Sequence, residues 1–154
     1  AVGGNKFDEA IIGKIKKDKN FVIGEKTAEQ IKITIGSAYA TDETMDICGR
    51  NLVTGLPSEV TVNGSEIHDA LSEHFQSIVD NIKIILERTP PEISADIYKS
   101  GVYITGGSSR IKDLGKFIYD QIGLRVNLCE EPESTVIIGL GSIIEDPQLA
   151  KLTL

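Results

Sequence analysis

Long apolar runs are missing from this sequence. No stretch approaches the roughly 18 residues that would span a bilayer, and the N-terminus lacks a basic region followed by a hydrophobic one. Nothing therefore reads as a transmembrane or secretory segment. Cysteine is scarce: Cys48 and Cys129 lie far apart, with no CxxC or Cys/His companion. That spacing supplies neither a zinc site nor a disulfide framework, and the expectation is two buried, reduced thiols in a cytosolic chain. Positive charge is in the minority, with 16 Lys and Arg against 23 Asp and Glu and a net charge of −7. A surface of that sign repels a phosphate backbone, which argues against nucleic acid as the main partner. The histidines are limited to His68 and His74, too few to complete a ligand set, and both are read as solvent-exposed. Internal repeats and low-complexity segments are absent as well.

What is present fits one domain or two small subdomains: 154 residues, 40% of them hydrophobic. Asn5 with Asp8 can open a first helix whose apolar stripe is Phe7, Ala10, Ile11 and Ile15. The basic run from Lys14 to Lys19 then reads as the solvated C-terminal end of that helix. In "EKTAEQIK", Thr27 and Gln30 have capping-box spacing for a second helix that runs to Gly36 and buries Ala28, Ile31 and Ile35. Between Thr41 and Gly64, short alternating runs around a loop with Asn51, Gly55 and Pro57 predict a β-hairpin or small sheet. Ser65 opens the longest helix, a core helix with Ile67, Leu71, Phe75, Ile78, Ile82, Ile85 and Leu86 on one face. Pro90 and Pro91 separate it from another helix that ends at Gly101. A strand, a helix to about Ile122, a strand around "LRVNL" and a helix from about Ser134 to Ile144 complete an α/β layer with parallel strands.

Two stretches can carry chemistry. "VYITGGSSRIKDL" changes from strand to helical periodicity at Gly106 and Gly107, followed by Ser108 and Ser109. Glycines at such a junction turn the chain, or let a ligand approach the main chain, and the pair alone leaves both readings open. In "AEQIKITIG", Glu29, Lys32 and Gly36 fall along one strip of the second helix. A carboxylate there can accept from ribose hydroxyls, a lysine stem can pack on a base with its head in water, and Gly36 leaves room for a flat ring. The same strip can equally be a surface salt bridge and a helix-ending glycine.

A resemblance bears on that choice. "VGGNKFDEAI", "IGEKTAEQIKITIGSAY", "GRNLVTGLPSEVTV", "ERTPPEISADI" and "YITGGSSRIKDL" together resemble, in order and over about Val2 to Asp146, the second half of the MreB family of bacterial actin homologues. The resemblance implies half of an actin-like, ribonuclease H-like ATPase fold: an α/β layer with a small α+β subdomain inserted. Residues 1–64 would be mostly subdomain IIB, 65–146 subdomain IIA, and 147–154 a peripheral tail. It implies a fragment of an ATP-binding, filament-forming cytoskeletal protein that governs cell shape.

By position, Glu29 and Lys32 would contact ribose and adenine, with Gly36 beside them, and Gly106, Gly107, Ser108 and Ser109 would take the other side of the nucleotide. Most family members read Gly-Gly-Gly-Ala where this chain has Gly-Gly-Ser-Ser, and Arg110 departs too, being similar to what Hsp70-type members carry. The phosphate hairpins, the Mg²⁺ of ATP or ADP and the catalytic carboxylate belong to the family's other half, so this piece is not expected to hydrolyse ATP alone. The implied partners are further protomers and the N-terminal half of the same fold, with membrane contact confined to that half. The alternatives are an ATPase-domain fragment of an Hsp70-like chaperone or sugar kinase, and an interaction module without nucleotide.

Overall fold

The computed structural model describes residues 3–145; the tail at 147–154 lies outside them. The first helix, α1 (Gly4–Lys19), starts earlier than the Asn5 signal suggests. Extended Gly3 is the cap, and its carbonyl accepts from the Lys6 and Phe7 amides, so Asn5 sits inside the first turn. Its stripe of Phe7, Ile11 and Ile15 is fully buried, as the spacing predicts. Ion pairs Lys14–Asp18 and Lys19–Glu66, both at 2.9 Å, occupy two cations of the basic run. Asn20, in the left-handed region at φ 50°, ends the helix and leads into a two-residue strand, β1 (Phe21–Val22).

The helix α2 (Glu25–Ile35) likewise begins two residues before Thr27, so the Thr27/Gln30 capping box does not form. Extended Gly24 caps it, its carbonyl taking the Ala28 amide at 3.1 Å. The hairpin of β2 (Thr44–Asn51) and β3 (Pro57–Asn63) matches the alternating runs, and β1 adds a third antiparallel strand on the β2 edge, pairing Phe21 with Asn51. β1 is too short to leave an alternation in the sequence. Along β2, Ile47 faces the core, so the period-2 pleat turns Cys48 outward; that thiol is exposed, and Cys129 is half-buried, against the expectation that both are buried.

The long helix α3 (Gly64–Glu87) has a complete capping box: Asn63 Oδ1 accepts the Glu66 amide at 2.9 Å, and Glu66 Oε2 accepts the Asn63 amide at 3.2 Å. Its buried apolar stripe, Ile67, Leu71, Phe75 and Val79, keeps three of the seven predicted residues, adds Val79 and stops before Ile82, Ile85 and Leu86. Phe7, near the start of α1, meets Phe75 at 5.6 Å between ring centroids; past that level Ile78 and Ile82 are partly buried and Ile85 is 65% exposed. His68 and His74 are half-buried rather than exposed, and His74 tilts against Phe7 at 5.8 Å.

The remaining chain forms α4 (Pro91–Ser100), β4 (Val102–Ile104), a 3-10 turn (Gly107–Arg110), α5 (Leu114–Ile122), β5 (Val126–Leu128) and α6 (Thr135–Glu145). β4 and β5 run parallel with Val102 opposite Val126, as the helix–strand rhythm predicts. One buried cluster joins Phe7, Ile31, Val62 and Phe75 to Ile111, Leu114 and Ile118 of the following segment. α4 and α6, by contrast, bury no residue.

Candidate functional site

The glycine pair does not lead directly into an α-helix. Gly106 takes φ +88°, a conformation that strains any side chain, and the next four residues wind a 3-10 turn before α5 starts at Leu114. Ser109 closes that turn from inside: its amide and hydroxyl both donate to the Gly106 carbonyl, at 3.0 and 2.7 Å, and the residue is 5% exposed. Outside the turn, the Gly106 amide and the Thr105 hydroxyl both donate to the Pro132 carbonyl at 2.8 Å. This ties the turn to the loop before α6 and sets Glu133 beside Gly107.

Opposite the turn stand α2 and the first turn of α1. Between them lies a cleft of about 450 Å³ lined by Glu29, Lys32 and Ile33 of α2, by Gly4, Asn5 and Asp8 of α1, and by Gly107, Ser108, Arg110, Ile111 and Glu133. Of the seven residues singled out in the sequence, Glu29, Lys32, Gly107 and Ser108 meet here. Gly106 and Ser109 shape the turn behind it. Gly36 is not at the cleft: it is buried at the end of α2, where a Cβ would lie 2.2 Å from the Lys32 carbonyl oxygen. What its missing side chain provides is a close helix end.

Lys32 does not pair with Glu29, nor does its head stay in water. Its Nζ lies 2.8 Å from Asp8 Oδ1, the two side chains only 11% and 14% exposed, and 3.4 Å from the Gly4 carbonyl. The ammonium meets that carboxylate oxygen as a charge contact, off the line of a hydrogen bond, and Asp8 Oδ1 has no other polar partner. Sequence reading missed Asp8 as a partner because 24 residues and a strand separate it from Lys32. A Cβ on Gly4 would stand 3.5 Å from Lys32 Nζ and 3.7 Å from Ser108 Oγ, so a bare backbone, an ammonium and a hydroxyl converge on one corner. On Gly107 a Cβ would meet only Glu133, at 3.7 Å, which leaves the backbone open to the cleft.

Arg110 and Glu133 close the outer rim. Nε donates to Oε1 at 2.7 Å and a terminal nitrogen donates to Oε2 at 2.9 Å, a two-pronged pair between two exposed side chains. The hydrogen bonds from Arg110 hold the Glu133 carboxyl below its ordinary value, and Glu133 raises the guanidinium in turn. Among the described residues no group of three His, Cys, Asp or Glu is gathered to hold a metal ion.

The model of the MreB/Mbl protein family matches residues 1–152. The chain belongs to the MreB/Mbl family. Cell shape-determining protein MreB of Escherichia coli K12 is 40% identical over 146 residues, covering 94% of this chain and 42% of that protein. Cell shape-determining protein Mbl of Bacillus subtilis 168 is 41% identical over 147 residues, covering 94% and 44%. The chain thus spans less than half the length of the curated MreB and Mbl relatives it matches. Among solved structures, MreB5 of Spiroplasma citri bound to ADP superposes with a TM-score of 0.87 at 36% identity, over 92% of this chain and 44% of that one. The MamK double helical filament shares the fold at 20% identity, with a TM-score of 0.72. The fold is accordingly part of an actin-like α/β architecture of the MreB type, and the chaperone and sugar-kinase alternatives give way to it.

Proposed function

We propose that this chain is the adenosine-holding half of an actin-like, filament-forming cytoskeletal ATPase that determines cell shape. The carrying observation is the convergence of the α2 strip and the glycine turn on one cleft, in a chain whose MreB5 relative is bound to ADP. Glu29 would accept hydrogen bonds from the ribose hydroxyls. Lys32, braced by Asp8, would present its stem and a fixed positive charge, and the bare Gly107 backbone with the Ser108 hydroxyl would allow close approach of the nucleoside. Gly36, Gly106 and Ser109 serve by fixing the walls. The phosphates and Mg²⁺ would be held by the remaining half of the fold, which also completes the layer around α4 and α6. Phosphoryl transfer needs the γ-phosphate, metal and attacking water positioned together, so hydrolysis would belong to the joined halves and not to this one. Self-association into filaments in the cytoplasm, at the membrane face through the other half, completes the reading.

The test is calorimetric titration of the full-length protein with ATP. Gly107→Val sets its Cβ at ordinary contact distance from Glu133 and directs its methyl groups toward the cleft, so it should fold and weaken binding about ten- to a hundredfold. A folded variant with unchanged affinity overturns the adenosine assignment.

A further inference from the structure

The small sheet ends on an open edge. Its order is β1, β2, β3, and among the described residues no strand pairs with the far side of β3. The ladder decides which atoms that side offers. At one end of the hairpin the Asn51 amide donates to the Leu56 carbonyl at 3.0 Å, and at the other the Gly64 amide donates to the Glu43 carbonyl at 2.7 Å. Hydrogen-bonded pairs alternate along an antiparallel ladder, and both ends set the same phase. Ser58, Val60 and Val62 therefore bond inward to β2, whereas Glu59 and Thr61 turn amide and carbonyl outward. The outward row of donors stops on either side of those two: Pro57 has no amide, and the Asn63 amide is taken by Glu66 Oε2 at 3.2 Å. Glu59 is the single charged side chain of β3, and the unbroken register leaves no bulge to twist the edge away from a partner.

We infer that this edge joins a second copy of the chain, β3 against β3, about a two-fold axis through Val60. Register selects that occupant. An antiparallel copy centred on Val60 sets Glu59 opposite Thr61 of the second copy, and Thr61 opposite its Glu59. Each of these pairs exchanges two hydrogen bonds, so all four outward amides find carbonyls. Sliding the copy by two residues either sets Glu59 against Glu59 or spends an amide on the occupied Asn63. In the centred register Val60 meets Val60 on the core-facing side. On the exposed side a row runs Cys48, Glu59, then Thr61 and Asp46 of the second copy, so a threonine already bonded to its own Asp46 separates the two acids. Four hydrogen bonds fall well short of the roughly 1,200 Å² that a lasting dimer buries, so one such contact is weak and gains strength where copies stand in rows. The inference rests on the self-association part of the proposed function, names a sideways contact for it, and makes no use of the cleft.

The experiment uses the full-length protein with its native cysteines replaced by serine and Val60→Cys added, under mild oxidation. Residues facing each other in a pair without hydrogen bonds lie about 4.5 Å apart at Cα, within disulfide range, so Val60→Cys should give a covalent dimer. Ser58→Cys, set about 13 Å from its mate by four residues of strand, should not. In the Val60→Cys background, Glu59→Pro removes two of the four hydrogen bonds while sparing those to β2, and should cut the cross-linked fraction about tenfold. Thr61→Glu sets acids opposite each other and should cut it about three- to tenfold, and adding Glu59→Lys, which makes each pair Lys against Glu, should restore it. A folded Val60→Cys protein that forms no dimer, or a yield indifferent to Thr61→Glu, overturns the contact. Polymer that still sediments with ATP in that case leaves self-association to another surface, whereas a protein that cross-links without sedimenting keeps the contact and removes the filament reading.

Discussion

The first 80 residues and the segments around α4 and α6 are built with comparable proportions of apolar side chain, yet they end up differently. In the first region every helix finds a partner: Phe7, Ile11, Ile31, Leu71 and Phe75 are buried to 3% exposure or less. In the second, Ile93, Tyr98, Val136, Ile137 and Ile144 are all more than half exposed, and among the described residues β4 and β5 form a sheet of two strands. Local sequence made good helices in both. What differs is whether the chain supplies the opposing surface, which is why an apolar stripe predicts burial only where a second element arrives to cover it.

The comparison can be broken most directly in the core. Phe75→Ala removes a side chain that packs edge-on against Phe7 and lies 6.1 Å from Phe117, and should destabilise the chain by about 3–5 kcal/mol in urea unfolding. Ile137→Ser, at a site 73% exposed, should change it by no more than about 0.5 kcal/mol in this chain and by clearly more in the full-length protein. Equal costs for Phe75→Ala and Ile137→Ser in this chain would erase the contrast. A smaller effect sharpens it: Asn63→Ala breaks the capping box at the start of α3 and should cost about 1 kcal/mol by the same measurement.

Smaller again is the tie between the regions made by Tyr39, which follows α2. Its hydroxyl donates to Asp120 of α5, and that bond, with burial and the nearby carboxylates adding to it, pushes the phenol up to about 12. A folded-state value above the unfolded 10 means that the contribution is complete below pH 10 and is lost as pH rises through about 12. Tyr39→Phe should therefore flatten the decline of stability across that window, and an unchanged alkaline profile would deny the tie. The least effect is expected at Glu133, where the depressed carboxyl means that any stability from the Arg110 pair is present above the usual glutamate range and fades as pH falls through the lowered value. Carboxyl NMR should find Glu133 titrating below an ordinary glutamate and returning toward it in Arg110→Ala.

The parts of this fold legible in the sequence are those governed by neighbours along the chain. Stripe spacing found Phe7, Ile11 and Ile15, alternation found the hairpin, and paired prolines found the α3–α4 break. Helix caps were misplaced, by two residues at Gly3 and by three at Gly24, where a glycine with no side-chain signal did the capping. The lower half of α3 was overread because periodicity does not say how far α1 extends alongside it. The same limit divided the site. Glu29 and Lys32 were visible as a helical strip and Gly107 and Ser108 as a strand end, whereas Asp8, Ile33 and Glu133 acquire meaning only when three distant segments fold onto one cleft.

The strand-like bridge at the back of that cleft has a mechanical consequence. Just past the end of α2, Ser37 pairs with Lys112, two residues beyond the 3-10 turn, and the Ala38 amide donates to the Lys112 carbonyl at 2.9 Å. Lys112 reaches on to Glu43 with its side chain. One backbone bridge thus fastens the walls carrying Glu29 and Ser108 to each other at their roots, which limits how far the notch between them can widen there. A ligand seated there meets a geometry already ordered by folding, so little loop entropy remains to be lost on binding. Any gape that admits or releases it has to come from whatever closes the open side.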